Sequence, residues 1–195
     1  MALEPATHLK DQAEGDLRFI RAAMGRAAAF TCVPGRGGIA MGAVGAAAAI
    51  LAPRAGSPRA WLAAWVSAGF LAFAIGVVAI VRKARRAEHR PSGSTARRFA
   101  LSLLPPLVAG AALTAAVAPT DAYVLLPAIW LLLYGCAVVG AGVSSVPVVP
   151  LFGGALVALG LVALLLPAAG DLLLGLGFGA GHVATGLVVA RRHGG

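Results

Sequence analysis

Six long apolar runs in this 195-residue chain contain no Lys, Arg, Asp or Glu, and fourteen of its sixteen Lys and Arg residues fall on one side of them. A charged side chain at a bilayer centre costs roughly 2.5–3.5 kcal/mol on insertion scales, and basic loops resist translocation. Runs of this kind are therefore membrane spans, and the charge asymmetry orients them. The implied fold is all-α, a polytopic membrane protein forming one membrane domain over residues 1–195. The six transmembrane helices are expected at 37–52, 61–81, 99–118, 122–143, 146–166 and 172–190. Most of these approach the roughly twenty residues that cross about 30 Å of hydrocarbon, and the first does so if it begins near Val33.

An even number of spans leaves both termini on the same side. The basic residues there are Lys10, Arg18, Arg21, Arg26 and Arg36 before the first span, seven more between Arg82 and Arg98, and Arg191 and Arg192 in the tail. Only Arg54 and Arg59 lie opposite. The expected topology has the N- and C-termini in the cytoplasm.

Composition excludes a soluble alternative. With 59% hydrophobic and 12% charged residues, the chain is far from the about 45–50% apolar and about 25% charged of soluble domains. The net charge of +9 flanks apolar runs and is not interleaved with aromatics on a polar face, so nucleic acid is not an expected partner. Cys32 and Cys136 lie in different segments with no metal-ligand spacing and read as small packing residues.

Residues 1–19 carry Glu4, Asp11, Glu14 and Asp16 and lack the early apolar run of a signal peptide. The stretch 7–32 reads as an amphipathic helix at the cytoplasmic interface. Thr7 can cap it, Leu9, Ala13, Leu17, Ile20, Met24 and Ala27 follow helical steps down one face, and Glu14 pairs with Arg18. Val33-Pro34-Gly35 then forms an elbow into the membrane.

The spans also read as three hairpins in series, with outer turns at Pro53, Pro119 and Pro167. Asp121 and Asp171 follow the last two turns, where each can cap the next helix. Membrane helices associate through close backbone approach at small residues, and 26 Gly residues serve that purpose. The expected packing steps are Gly38/Gly42, Gly154/Ala158 and the Gly-rich sixth span from Gly175 to Gly186. The run GLGFGAG at 175–181 fits a dinucleotide-binding string. It lacks the preceding strand and the later acidic residue, so helix packing explains it better.

Candidate chemistry within the spans comes down to His182, with Tyr134 and Trp130 sharing a face of the fourth span. An intramembrane imidazole can relay protons, ligate haem, a pigment or a metal, or hold a substrate. It can equally be a neutral ring bonded to Tyr134, Ser102, Thr114 or a freed carbonyl, and no second ligand recurs at metal spacing. The expectation is the neutral, bonded ring, with no metal and no cofactor predicted, although haem or a pigment on His182 stays open. Trp61 and Trp65 begin the second span as interfacial anchors. The basic stretch 82–98, expected as a loop, offers Arg82, Lys83, Arg85, Arg86, Arg97 and Arg98 to anionic lipid or to a protein partner.

The segments Leu17-Arg18-Phe19-Ile20-Arg21 to Met24, Phe30-Thr31, Val33-Pro34-Gly35 and Gly37-Gly38 form an N-terminal signature. With Arg97-Arg98-Phe99-Ala100, Leu131-Leu132-Leu133-Tyr134-Gly135 and Arg191-Arg192, it resembles a family of bacterial six-helix integral membrane proteins that has no established activity. The resemblance implies a bacterial inner membrane location and carries over no catalytic residues. No Ser/His, Asp/Asp or HExxH arrangement occurs in the spans, so an enzyme is not expected. The expected function is a non-catalytic accessory subunit, sensor or scaffold that binds a partner. The alternative is a small transporter or channel with a midplane site near His182 and broken helices at Pro105-Pro106 and Pro150.

Overall fold

A computed structural model describes residues 14–17, 19–20, 33–86, 93–143 and 145–193. Among them every regular element is helical, and six helical segments are long and apolar enough to cross a membrane. The helices are α1 (Gly35–Leu51), α2 (Pro58–Arg86), α3 (Gly93–Val117), α4 (Leu126–Gly142) and α5 (Val148–Leu165). The sixth span, Pro167–Arg192, is composite. It contains α6 (Gly170–Leu174), a π-helical stretch (Gly175–Gly181) and α7 (His182–His193). A helix satisfies every backbone donor and acceptor within itself, which is why charge-free apolar runs adopt it in lipid.

Most of the expected amphipathic helix over 7–32 lies outside the described residues. Residues 14–17 and 19–20 are helical, with Leu17, Phe19 and Ile20 exposed. The stretch 82–98 differs from the expected loop: α2 runs on to Arg86 and α3 already begins at Gly93. No proline or glycine interrupts the chain between Val77 and Arg86, so the helix simply continues past the apolar stretch.

The turns at the end of the bundle opposite the termini follow local chemistry. After α1, Pro53 sits in a 3-10 turn, and Gly56 takes φ +73°, a left-handed conformation that a Cβ disfavours. Ser57 Oγ then accepts the Ala60 N–H at 3.2 Å and Pro58 opens α2, a favoured pair of starting residues for a helix. Between α3 and α4, Tyr123 donates its hydroxyl to the Ala118 carbonyl at 2.6 Å. The expected caps are not made. Asp121 makes no side-chain cap bond, and the Asp171 carboxylate instead accepts the Trp61 indole N–H at 2.7 Å, tying α2 to the sixth span. Trp61 is thus held by a partner helix as well as placed at a span end.

Two glycine seams organise the bundle. Along the first, α1 runs antiparallel to the sixth span: Gly35 lies against Ala190, Gly42 against Val183 and Gly45 against the Phe178 carbonyl. Along the second, Gly135 and Gly142 of α4 meet Val157 and Pro150 of α5, while Gly153 and Gly160 of α5 meet Val139 and Leu132 of α4. In α5 the expected Gly154/Ala158 step points outward: Gly154 has nothing facing it, and the contact face one residue away carries Gly153 and Gly160. Leu131, Leu156 and Val189 are fully buried where α4, α5 and the sixth span meet, and Leu126, at the start of α4, is buried as well. In contrast, only 6% of the apolar stretch of α2 and 11% of that of α3 is buried, so these two helices flank the others.

A polar tie secures α3. Trp130 donates its indole N–H to Thr114 Oγ1 at 2.9 Å, Thr114 donates to the Gly110 carbonyl at 2.8 Å, and the Trp130 ring lies over Gly110. Thr114→Val keeps the shape but leaves the indole N–H without its acceptor, an expected loss of about 1–3 kcal/mol. Thermal unfolding of the detergent-solubilised variant checks it, and an unchanged midpoint would remove the tie from the account.

Candidate functional site

His182 begins α7 immediately after the π-helical stretch, and is buried, with 7% of its surface exposed. Its Nδ1 lies 3.3 Å from the Gly177 carbonyl and its Nε2 lies 2.9 Å from the Tyr134 hydroxyl. A carbonyl only accepts, so Nδ1 carries a proton, and in the neutral ring Nε2 then offers its lone pair to the Tyr134 hydroxyl, which donates. In this neutral tautomer both nitrogens are occupied.

Three aromatic rings surround the imidazole. Phe152 of α5 meets the imidazole edge-on with centroids 4.8 Å apart, and Phe178 lies nearly parallel to it at 6.0 Å. Tyr134 packs against Phe178 at 5.2 Å and against His182 at 5.5 Å. Each contact suits the quadrupole of an aromatic pair and fills space that water would otherwise enter.

The local backbone explains why the histidine points this way. A regular helix places Gly175, Gly179, His182 and Gly186 on one stripe, but the π-helical stretch has a wider turn and shifts the register. Gly175, Gly179 and Gly186 still face α1, against Ala49, Ala46 and Ile39. The His182 side chain faces α4 and α5 instead, with Gly177 and Gly181 leaving room for Leu131, Leu156 and Phe152.

Of the residues expected to form an intramembrane site, the fold joins His182 and Tyr134 and separates Trp130. The Trp130 indole points to Thr114 on α3. Ser102, another potential partner of the histidine, donates to the Arg98 carbonyl at 3.0 Å. Phe152 and Phe178 were not anticipated around the imidazole, though the four-residue step from Phe178 to His182 was available as a signal. Nε2 is the nitrogen a metal or haem would need, and it is engaged in the hydrogen bond with the Tyr134 hydroxyl. Among the described residues no cluster of three His, Cys, Asp or Glu can hold a metal ion.

At the terminal end, Lys83 Nζ donates to the Val33 carbonyl at 3.0 Å, pinning the elbow to α2. Arg82, Arg85, Arg97 and Arg98 are exposed there. Arg86 closes α2, and the residues between it and Gly93 lie outside the described part of the chain. Comparison with protein-family models, with curated proteins and with solved structures finds no match to this chain.

Proposed function

We propose that this is a non-catalytic protein of the bacterial inner membrane that binds a partner as an accessory subunit, sensor or scaffold. The carrying observation is that His182, the sole ionisable group of near-neutral ordinary pKa within the spans, has both nitrogens hydrogen-bonded inside an aromatic shell. A group so engaged serves as a tie between helices. Surfaces open to a partner include the outward faces of α2 and α3, with Phe70, Phe73, Leu101 and Val108 exposed, and the basic terminal end. Mild-detergent purification from the native membrane tests this reading. A stoichiometric protein retained by the wild type and lost when Phe70 and Phe73 are replaced, or when Arg97 and Arg98 are, is the expected result. Isolation as a single species with transport activity would overturn it.

The topology belongs to the same proposal: three consecutive hairpins, an N-terminal helix at the interface and both termini in the cytoplasm. The basic residues at the terminal end support it, each worth roughly 1 kcal/mol against an anionic leaflet. A cysteine placed at Asp121 is then labelled by an impermeant reagent from the periplasmic side of intact spheroplasts. Labelling only after the membrane is opened would reverse the orientation.

A transporter remains the second reading because of one observation, the π-helical stretch directly before His182. Such wide turns frequently mark functional sites, and Pro105 and Pro106 inside α3 remove two further backbone donors.

A further inference from the structure

The three turns opposite the termini line an open cleft of about 440 Å³. Pro53, Pro58, Pro127 and Pro167 stiffen its rim, and Trp61 and Tyr123 supply aromatic wall. Asp171 is the one lining residue with a formal charge. Its Oδ1 is held by the Trp61 indole at 2.7 Å, and among the described residues Trp61 is its one side-chain hydrogen-bond partner. The carboxylate is half-buried, oriented by a neutral donor and not neutralised by it. Arg54, which neighbours the rim, turns instead to the Ile50 carbonyl of α1.

We propose that this cleft binds a small organic ammonium group, with Asp171 as its counter-ion and Trp61 and Tyr123 as its aromatic walls. An anion is repelled by the carboxylate. A hard metal cation needs about six oxygen ligands, whereas the side chains lining the cleft offer one carboxylate and the Ser57 and Tyr123 hydroxyls, each of the hydroxyls already hydrogen-bonded to backbone. An alkylammonium or quaternary ammonium uses both features at once, charge against Oδ2 and C–H surface against the ring faces. The ammonium can come from a soluble amine or from a phosphatidylethanolamine headgroup, since the cleft lies at the membrane-boundary end of the spans. This assignment stands apart from the partner-binding reading and does not require it.

The chain has three tryptophans, so an indole ¹H–¹⁵N spectrum gives three resolvable reporters. Trp61 is assigned through Trp61→Phe, and Trp130, tied to Thr114, reports the fold elsewhere. In maltoside micelles, choline and ethanolamine are titrated separately. In nanodiscs, phosphatidylethanolamine is compared with phosphatidylglycerol alone. The expected result is a saturable shift of the Trp61 resonance with a soluble amine, or with phosphatidylethanolamine only, which identifies the source. Asp171→Asn keeps an acceptor for the indole and weakens the response about tenfold or more, with the Trp130 resonance unmoved. No Trp61 response in either arm, or an equal response in Asp171→Asn, would overturn the proposal. If Asp171→Asn does not fold, Asp171→Glu provides the charged alternative: it retains the response if charge recognises the ligand, and loss of the response in a folded Glu variant counts against it.

Discussion

Gly153→Ala is expected to destabilise the bundle by about 1–3 kcal/mol, while Gly154→Ala, one residue further along the same helix, is neutral or stabilising. A Cβ at Gly153 falls 2.6 Å from the Val139 backbone nitrogen and 2.9 Å from the Gly135 carbonyl oxygen. Neither atom can move away without shifting α4 as a whole, so the helices must separate along their closest seam. In membranes that separation is costly because van der Waals contact, more than water exclusion, holds helices together. At Gly154 a methyl group meets nothing within 4 Å. Ala there loses less backbone freedom on folding than Gly, a gain of roughly 0.5–1 kcal/mol. Thermal midpoints of the two purified variants in one detergent give the comparison directly. Equal midpoints would mean that α4 and α5 do not approach through this face.

The second large effect concerns the His182–Tyr134 pair. His182→Leu roughly preserves bulk but leaves the Tyr134 hydroxyl and the Gly177 carbonyl without their partners. The expected loss is about 1–3 kcal/mol, since a buried polar group deprived of its partner bears its full desolvation cost. Tyr134→Phe strands Nε2 and costs less, about 1 kcal/mol. In the double variant the hydroxyl and the imidazole leave together, so its loss is smaller than the sum of the single losses by about 1 kcal/mol. Strict additivity in chemical or thermal unfolding would show that the two groups do not interact in the folded protein.

Much of this architecture is legible in the sequence, because lipid removes most of the alternatives. Charge-free runs of membrane-spanning length must be helical, and all six expected spans correspond to helices within a few residues at most ends. What the sequence hides depends on which face another helix chooses. Gly153 and Gly154 are indistinguishable in composition, and only the approach of α4 separates their roles. Trp130 and Tyr134 stand one helical turn apart, yet α4 sits between α3 and the sixth span and gives one aromatic to each. Asp171 sits where a helix cap is common, so its bond to Trp61, 110 residues away in sequence, has no local signal. The π-helical stretch is similarly concealed. A run of glycines permits it, and Gly45 of α1 packs against the Phe178 carbonyl within it, a contact that no local sequence pattern announces.

The partner-binding reading and the transport reading divide most sharply over whether anything passes the His182–Tyr134 tie. Proteoliposomes carrying an internal pH-sensitive dye and an imposed proton gradient and potential measure this. The account predicts a leak equal to that of protein-free liposomes for the wild type and for the His182→Leu/Tyr134→Phe double variant alike. Flux above the protein-free level in the wild type, abolished in a double variant that still unfolds cooperatively, would contradict it and make His182 part of a pathway.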